Sequence, residues 1–342
     1  MAPSRTTEPD STRHTSRDTS AEKSNSSLWK IEIIPGKGKG LIATQDITPG
    51  TLLLSETPLL TTEGVTTIDL QVAETQLQKK LSALPKSSQQ AFLALHNNYE
   101  DENPLSGIVR LNGYPLGPGA EAGGVFETIS RINHSCRPNV VQSWNPLLEK
   151  ETVYAVRNIP AGTEICTAYH VGGPSSERQQ VLKTYFGFTC TCTLCSLLED
   201  ELKESDERMI EAEELDETIG DSKKVRFRAS EVLACCHRLS KIFEKEQVQD
   251  DRLSRLYFDC FQVCNMHGDL ARARVFAKQY CSAKKMAVGD DCISVLEMKP
   301  FVKNPRKHES FGVTEEWKMG AEEVPKGLGR RQFERWLWRE EA

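Results

Sequence analysis

The period of the apolar residues changes along this chain, and each change marks a boundary. Residues 1–27 have almost no apolar pattern, and Ser, Thr and charge predict a disordered tail. From Trp29 the chain alternates, as Trp29-Lys30-Ile31-Glu32-Ile33, the period of a half-buried strand. Gly36-Lys37-Gly38-Lys39-Gly40 reads as a flexible loop. Residues 41–44 and 51–54 read as short strands around a Thr48-Pro49-Gly50 turn. Across 64–104 the period lengthens: Leu70, Ala73, Leu77, Leu81 and Leu84 recur at helical spacing, and 91–95 continue it, as a helical insertion between β segments. Val140-Val141 and Thr152-Val153-Tyr154-Ala155-Val156 return to β-formers. A turn at Ile159-Pro160-Ala161-Gly162 leads to a last strand over 164–169.

After Cys195 the pattern is helical. Residues 199–217 form an acidic helix or linker. Val225, Ala229, Val232, Leu233, Cys236, Leu239, Ile242 and Phe243 make one apolar helix face. Leu253, Leu256, Tyr257, Cys260, Phe261 and Cys264 make a second. Leu270, Ala273, Ala277, Tyr280 and Cys281 make a third, after a Gly268-Asp269 break. Consecutive amphipathic helices of this kind predict a small helical domain of tetratricopeptide-like pairs, though no clean repeat consensus is present. Beyond Pro300 no element is legible, and Trp317, Trp336 and Trp338 are expected to dock back onto the body.

Composition narrows the function. The 342 residues suffice for one large domain and a smaller one, and 38% hydrophobic with 27% charged residues is a globular balance. The net charge of -6, with no long basic stretch, argues against direct nucleic-acid binding. An acidic chain can still attract a basic peptide by its field. No apolar run reaches membrane-spanning length and no secretory h-region opens the chain, so no membrane partner is expected. The 11 cysteines are not spaced like a secreted disulfide framework. They point to a reducing compartment, nucleus or cytoplasm, with a metal site and buried thiols. A monomer is the expected state.

Three motifs carry chemistry. Cys190-Thr191-Cys192-Thr193-Leu194-Cys195 places three thiolates where they can converge on one tetrahedral zinc, with a fourth ligand supplied from elsewhere. The alternative is a set of buried structural thiols. Arg131-Ile132-Asn133-His134-Ser135-Cys136-Arg137-Pro138-Asn139 invites a hydrolase reading, with Cys136 or Ser135 as nucleophile and His134 as base. Against it, sequence neighbours seldom point at each other, and no third group nearby orients the pair. The glycine alternation at 36–40 lets the backbone approach a ligand but has neither the P-loop nor the dinucleotide spacing.

The order of these pieces resembles the SET-domain lysine methyltransferases: a glycine-rich loop after the first strand, a long insertion, Asn133-His134-Ser135-Cys136, Gly162-Thr163-Glu164 leading to Tyr169, then a post-SET C-x-C-x-x-C. The resemblance covers residues 29–196 and is nearest to the SET-and-MYND-related branch, among fungal SET-domain proteins. The MYND zinc module of that branch would sit in the 64–104 insertion, which has no cysteine, so MYND-type partner binding is not implied. The implied fold is α+β: a mostly-β SET domain of small curved sheets with a pseudo-knotted crossing, a helical insertion, a post-SET zinc site and a C-terminal α-helical domain. The implied parts are 28–63 and 105–172 for the SET domain, 64–104 for the insertion, 173–197 for the post-SET segment and 198–342 for the helical domain.

The resemblance implies S-adenosylmethionine as cofactor, one structural zinc, and a protein substrate bearing the acceptor lysine. Lys37, Gly38 and Lys39 would cradle the methionine end of the cofactor. Asn133 would bind its amino group, His134 its adenine largely through main chain, and Phe188 would stack on the adenine ring. Cys136 would complete the zinc site with Cys190, Cys192 and Cys195. Tyr169 would be catalytic and touch the cofactor. A family tyrosine of the lysine channel falls at Phe186, with Tyr185 beside it, so one of these two would line the channel. Two other readings remain: a catalytically weak SET scaffold acting as an interaction module, and a methyltransferase on a small-molecule amine.

Overall fold

The computed structural model describes residues 28–65, 69–99 and 103–340. The expected tail at 1–27 lies outside the described residues. Three small sheets form the first half. Strands β1 (Trp29–Ile34) and β2 (Gly38–Ala43) make an antiparallel hairpin, and β2 continues onto β10 (Glu164–Thr167), which pairs in parallel with the short β7 (Asn133–His134). A second sheet orders β3 (Leu52–Glu56), β9 (Lys150–Ala155) and β8 (Val140–Asn145). A third orders β4 (Leu60–Thr61), β6 (Gly123–Val125) and β5 (Gly113–Pro115). The glycine-rich segment is not all loop. The turn is short, and Gly38 to Gly40 already belong to β2, with Ile34 opposite Gly38. The last strand also ends earlier than expected, at Thr167, so Tyr169 stands just beyond the sheet.

Residues 133–139 loop around β10. The Ser135 amide donates to the Thr167 carbonyl and the Asn139 amide to the Cys166 carbonyl. The Asn139 side chain donates to the Glu164 carbonyl and accepts from the Cys166 amide, both at 2.8 Å. These bonds satisfy the backbone of a strand too short to be held by its ladder alone. They form the chain crossing on which the candidate site is built.

Three apolar cores stand behind this framework. Leu41, Leu53, Phe126, Ile129, Ile132 and Ile165 are among the buried residues of the sheet core. The insertion contains α1 (Leu70–Ser82) and α2 (Lys86–Leu93), and a further helix α3 (Pro104–Asn112) packs on α1. Leu77, Leu81, Phe92, Leu105 and Ile108 close that core over β4 and β6. The third core belongs to α5 (Glu199–Gly220), α6 (Ser222–Phe227), α7 (Ala229–Glu246), α8 (Asp251–Met266) and α9 (Leu270–Val288). The 199–217 segment is a helix, because Ser205, Met209, Ala212 and Ile219 give it a buried stripe. The face expected to run from Val225 to Phe243 is split. Asp221 caps α6, and Arg228 breaks helical geometry before α7 begins, leaving Val225 on the shorter helix.

The C-terminal stretch has more order than its pattern predicts. Helix α10 (Ile293–Lys303) runs through Pro300, and α11 (Arg330–Leu337) follows a long irregular segment. Trp317 and Trp338 are buried in the helical core and Trp336 packs against it. The buried Asp269–Arg272 pair, at 2.7 Å, anchors this segment, since Arg272 also donates to the Trp336 carbonyl. Between α4 (Ser175–Val181) and the cysteine cluster lies a π-helical turn, Leu182–Phe186. Among the described residues no helix is long and apolar enough to cross a membrane.

Candidate active site and metal centre

The four cysteines expected to meet do meet. The ligand atoms of Cys136, Cys190, Cys192 and Cys195 all lie within 4.8 Å of one another, although Cys136 is on the crossing loop and the others follow the π-helical turn. Cys136 Sγ is 3.9 Å from Cys190 Sγ and 3.6 Å from Cys195 Sγ. A tetrahedron with Zn–S bonds of about 2.3 Å has edges of roughly 3.8 Å, so the spacing fits one zinc ion. Every cysteine of the chain is free, so no disulfide competes for these sulfurs. Mutual hydrogen bonding in the cluster holds the Cys190 thiol below its ordinary range and those of Cys136 and Cys195 above it.

Contrary to the expectation for sequence neighbours, His134 and Cys136 do approach, with His134 Nε2 3.3 Å from Cys136 Sγ. This is no nucleophile–base pair. The Tyr169 amide donates to His134 Nδ1 at 3.0 Å, so Nδ1 has no proton and Nε2 is the donor. An imidazole that gives its Nε2 proton toward sulfur cannot take one from it. His134 instead orients a sulfur ligand, as outer-shell groups do around zinc. Ser135 is no better placed, since its Oγ donates to the Arg137 carbonyl and accepts from the Arg137 amide.

Tyr169 lies beside this crossing. Its hydroxyl donates to the Ile132 carbonyl at 2.8 Å, and its ring packs on Phe186 with centroids 4.9 Å apart. His134 is 5.3 Å from the same ring and Phe188 is 6.4 Å away edge-on. Burial raises the Tyr169 hydroxyl well above the ordinary range, and the nearby Cys166 and Glu164 add to the shift, so the phenol stays neutral. Of the two channel candidates only Phe186 contacts Tyr169. Tyr185 is 53% exposed.

The glycine hairpin reaches the crossing through Glu164, a residue without a role in the sequence reading. Glu164 Oε2 accepts from Lys37 Nζ at 2.7 Å and Oε1 accepts from Asn133 Nδ2 at 2.9 Å. Asn133 Nδ2 also donates to the Lys39 carbonyl at 3.3 Å, which leaves its amide oxygen as the side to meet a donor. Burial works against the Lys37 charge, but the Glu164 hydrogen bond and neighbouring acidic groups outweigh it and raise its pKa. The Lys39 side chain is exposed. Gly40 was also missed. A Cβ there would stand 2.6 Å from Asn133 Nδ2. The signal available in the sequence was Glu164 itself, the one charge in the strand, ahead of Ile165 and Cys166.

One contact comes from the insertion. Asn98 Nδ2 donates to the Phe186 carbonyl at 3.0 Å, at the end of the π-helical turn. Gly187, at φ +77°, follows with a conformation that side chains rarely adopt, and Asn98 occupies the space beside it. The insertion therefore helps to position the ring beside Tyr169.

Comparison with known proteins agrees with this architecture. The SET domain family model matches residues 38–170. A histone-lysine N-methyltransferase, set5, from Schizosaccharomyces pombe is 35% identical over 285 residues, covering 82% of this chain and 85% of that protein. A histone-lysine N-methyltransferase SET5 from Meyerozyma guilliermondii is 31% identical over 136 residues, covering 39% of this chain and 27% of that protein. The N-lysine methyltransferase SMYD2 of Gallus gallus is 30% identical over 115 residues, 32% of this chain and 26% of its own length. With the crossing, the sulfur cluster and the tyrosine in this arrangement, the chain belongs to the SET-domain family of protein-lysine methyltransferases.

Proposed function

We propose that this chain transfers a methyl group from S-adenosylmethionine to the side-chain amine of a lysine in a basic protein segment, such as a histone tail. The observation that carries this reading is the seat of Tyr169. Its neutral hydroxyl is held at the crossing between Asn133-His134 and the aromatic pair Phe186 and Phe188. The net charge of -6 suits a basic substrate, and set5 of Schizosaccharomyces pombe is named for histone lysine.

The residues present fit the cofactor. The hairpin tip is a backbone cradle, with Gly36 at φ +74° and Gly38 at φ +75°, and no atom stands within 4 Å of where their side chains would be. Asn133 presents an acceptor beside it, and Phe188 an aromatic face near His134. When bound, the cofactor supplies a methyl group already activated by a sulfonium. The four-cysteine zinc site is structural, closing the post-SET segment onto the crossing.

The protein's own part is alignment and exclusion of water. Free lysine has a pKa of about 10.4, and the acceptor must lose its proton. Desolvation beside the buried Tyr169 hydroxyl disfavours an ammonium, and no base is required of His134, whose nitrogens are both engaged. Because the Tyr169 hydroxyl gives its proton to the Ile132 carbonyl, its lone pairs remain to accept from the reacting groups. Holding nitrogen and methyl in line then supplies most of the rate.

Tyr169→Phe keeps the ring and removes the oxygen. Turnover on a histone peptide, followed by transfer of labelled methyl, is expected to fall by about 10²-fold or more, with calorimetric affinity for S-adenosylmethionine nearly unchanged. Equal loss of affinity and turnover would make Tyr169 structural. A wild-type chain that binds cofactor but labels no protein would instead support the scaffold reading.

A further inference from the structure

A cavity with a volume of about 30 Å³ lies between the SET core and the helical domain. Four guanidinium groups line it from four elements: Arg137 on the crossing loop, Arg157 after β9, Arg178 on α4 and Arg252 on α8. Two carboxylates line it as well, Glu246 and Asp250, and both are saturated. Glu246 accepts from Arg137 at 2.9 Å, Ser205 at 2.8 Å and Arg208 at 2.7 Å. Asp250 accepts from Arg252 through Nε at 2.9 Å and Nη2 at 2.7 Å.

Arg157 gives its Nη atoms to the Gln247 side chain and carbonyl, yet three of the four arginines keep buried donors unpaired. Arg178 is 3% exposed, and its Nη1 donates to the Gly173 carbonyl, but Nε and Nη2 find no acceptor among the described residues. Its nearest carboxylate, Asp206 at 3.8 Å, already accepts from Ser175. The Nε atoms of Arg137 and Arg157 are likewise buried without a partner. Arg157 is pulled below the ordinary guanidinium range by burial and then by the Arg137 charge, a sign of positive charge in excess. Buried N–H groups with no protein acceptor, around a cavity lined by more cations than anions, favour an anion from outside the chain.

We infer that this cavity binds one phosphate-class oxyanion, held by Arg137, Arg157, Arg178 and Arg252 and cross-linking the SET core to the helical domain. Planar guanidinium groups match the oxygens of phosphate; the unpaired donors here are Nε and Nη2 of Arg178 and Nε of Arg137 and Arg157, while Arg252, its Nε and Nη2 taken by Asp250, adds charge. Water could satisfy the donors but not the charge. The oxyanion can be free in solution or be the phosphoryl group of a phosphorylated protein segment. Neither source depends on the methyl-transfer reading.

The test uses the full-length, zinc-loaded chain. Inorganic phosphate is titrated at constant ionic strength against chloride while thermal unfolding is followed, for wild type and for Arg157→Gln and Arg252→Gln. These two arginines are partly exposed, so both variants should fold even if Arg178→Gln does not. The expected result is a saturable rise in melting temperature, with the midpoint shifted by about tenfold or more in each variant. Arg238→Gln, an exposed pair with Glu211, should behave as wild type. A phosphoserine peptide and its unphosphorylated form then compete against phosphate in a phosphorus NMR experiment. Displacement by the phosphopeptide alone assigns the source to a modified protein, and no displacement assigns it to free anion. A response no larger than with chloride, or one unchanged in both lining variants, would mean that the cavity holds water only and overturn the inference.

Discussion

Gly40 is the tightest residue of the candidate active site, and the reason is space. An added Cβ would meet Asn133 Nδ2 at 2.6 Å, Ile34 Cγ1 at 2.7 Å and Glu164 Oε1 at 3.2 Å. Two of those atoms form the bond that turns the Asn133 amide nitrogen inward and leaves its oxygen for a ligand. Gly40→Ala should displace Asn133 and separate it from Glu164. Calorimetry should show affinity for S-adenosylmethionine reduced about tenfold or more. The fold should lose only about 1–3 kcal/mol, the usual effect of overpacking one methyl group. Gly38→Ala is the contrast, because Gly38 has φ +75° with open space around it. There the strain is conformational, about 1 kcal/mol, with Asn133 undisturbed. If Gly40→Ala bound cofactor as wild type does, Asn133 would have no part in the cofactor site.

At the scale of elements, the post-SET segment has little to hold it but sulfur. After the π-helical turn the chain runs without regular structure through the three cysteines, pinned by Gln179, which bonds both the amide and the carbonyl of Cys190 at 2.8 Å. Phe186 and Phe188 adjoin this stretch, so a metal held by the four cysteines would be coupled to the aromatic surroundings of Tyr169. Metal analysis should find one zinc per chain. Removing it with a chelator, or Cys136→Ser, should abolish methyl transfer and open 187–197 to protease, at a loss of several kcal/mol. Retained activity in the metal-free chain would contradict the coupling. The C-x-C-x-x-C cluster was legible in the sequence because its spacing is local, and Cys136 was assigned only through the family resemblance. The Glu164 and Asn98 contacts were not legible. They span 31 residues to Asn133 and 88 residues to Phe186, and no periodic pattern encodes a single hydrogen bond across such distances. The split of α6 from α7 was hidden for a related reason: the apolar period continues across Arg228, and only the cap at Asp221 marks a separate helix.

For the molecule as a whole, the question is what fixes the SET core against the helical domain. The apolar seam is small: Val156 meets Ala287 and Val288, with Val141 and Cys292 beside them. The polar seam is centred on Glu246, whose carboxylate joins Arg137 of the crossing loop to Arg208 of α5, with 3% of its side chain exposed. Burial pushes the Glu246 pKa up, but bonds from Arg208, Ser205 and Arg137 overcome this and leave it below the ordinary carboxylate range. A carboxylate depressed in the folded state contributes stability that is full above its unfolded pKa. That contribution is lost as pH falls through the folded value. Glu246→Ala should therefore destabilise at neutral pH by about 3 kcal/mol, because Arg137 loses its carboxylate and Arg208 keeps only the exposed Glu204. The gap from wild type should narrow only as pH falls below the ordinary carboxylate range and through the depressed pKa of Glu246. Urea melts of both proteins from neutral to acid pH would check this. A gap independent of pH would mean that Glu246 acts by packing and not by charge.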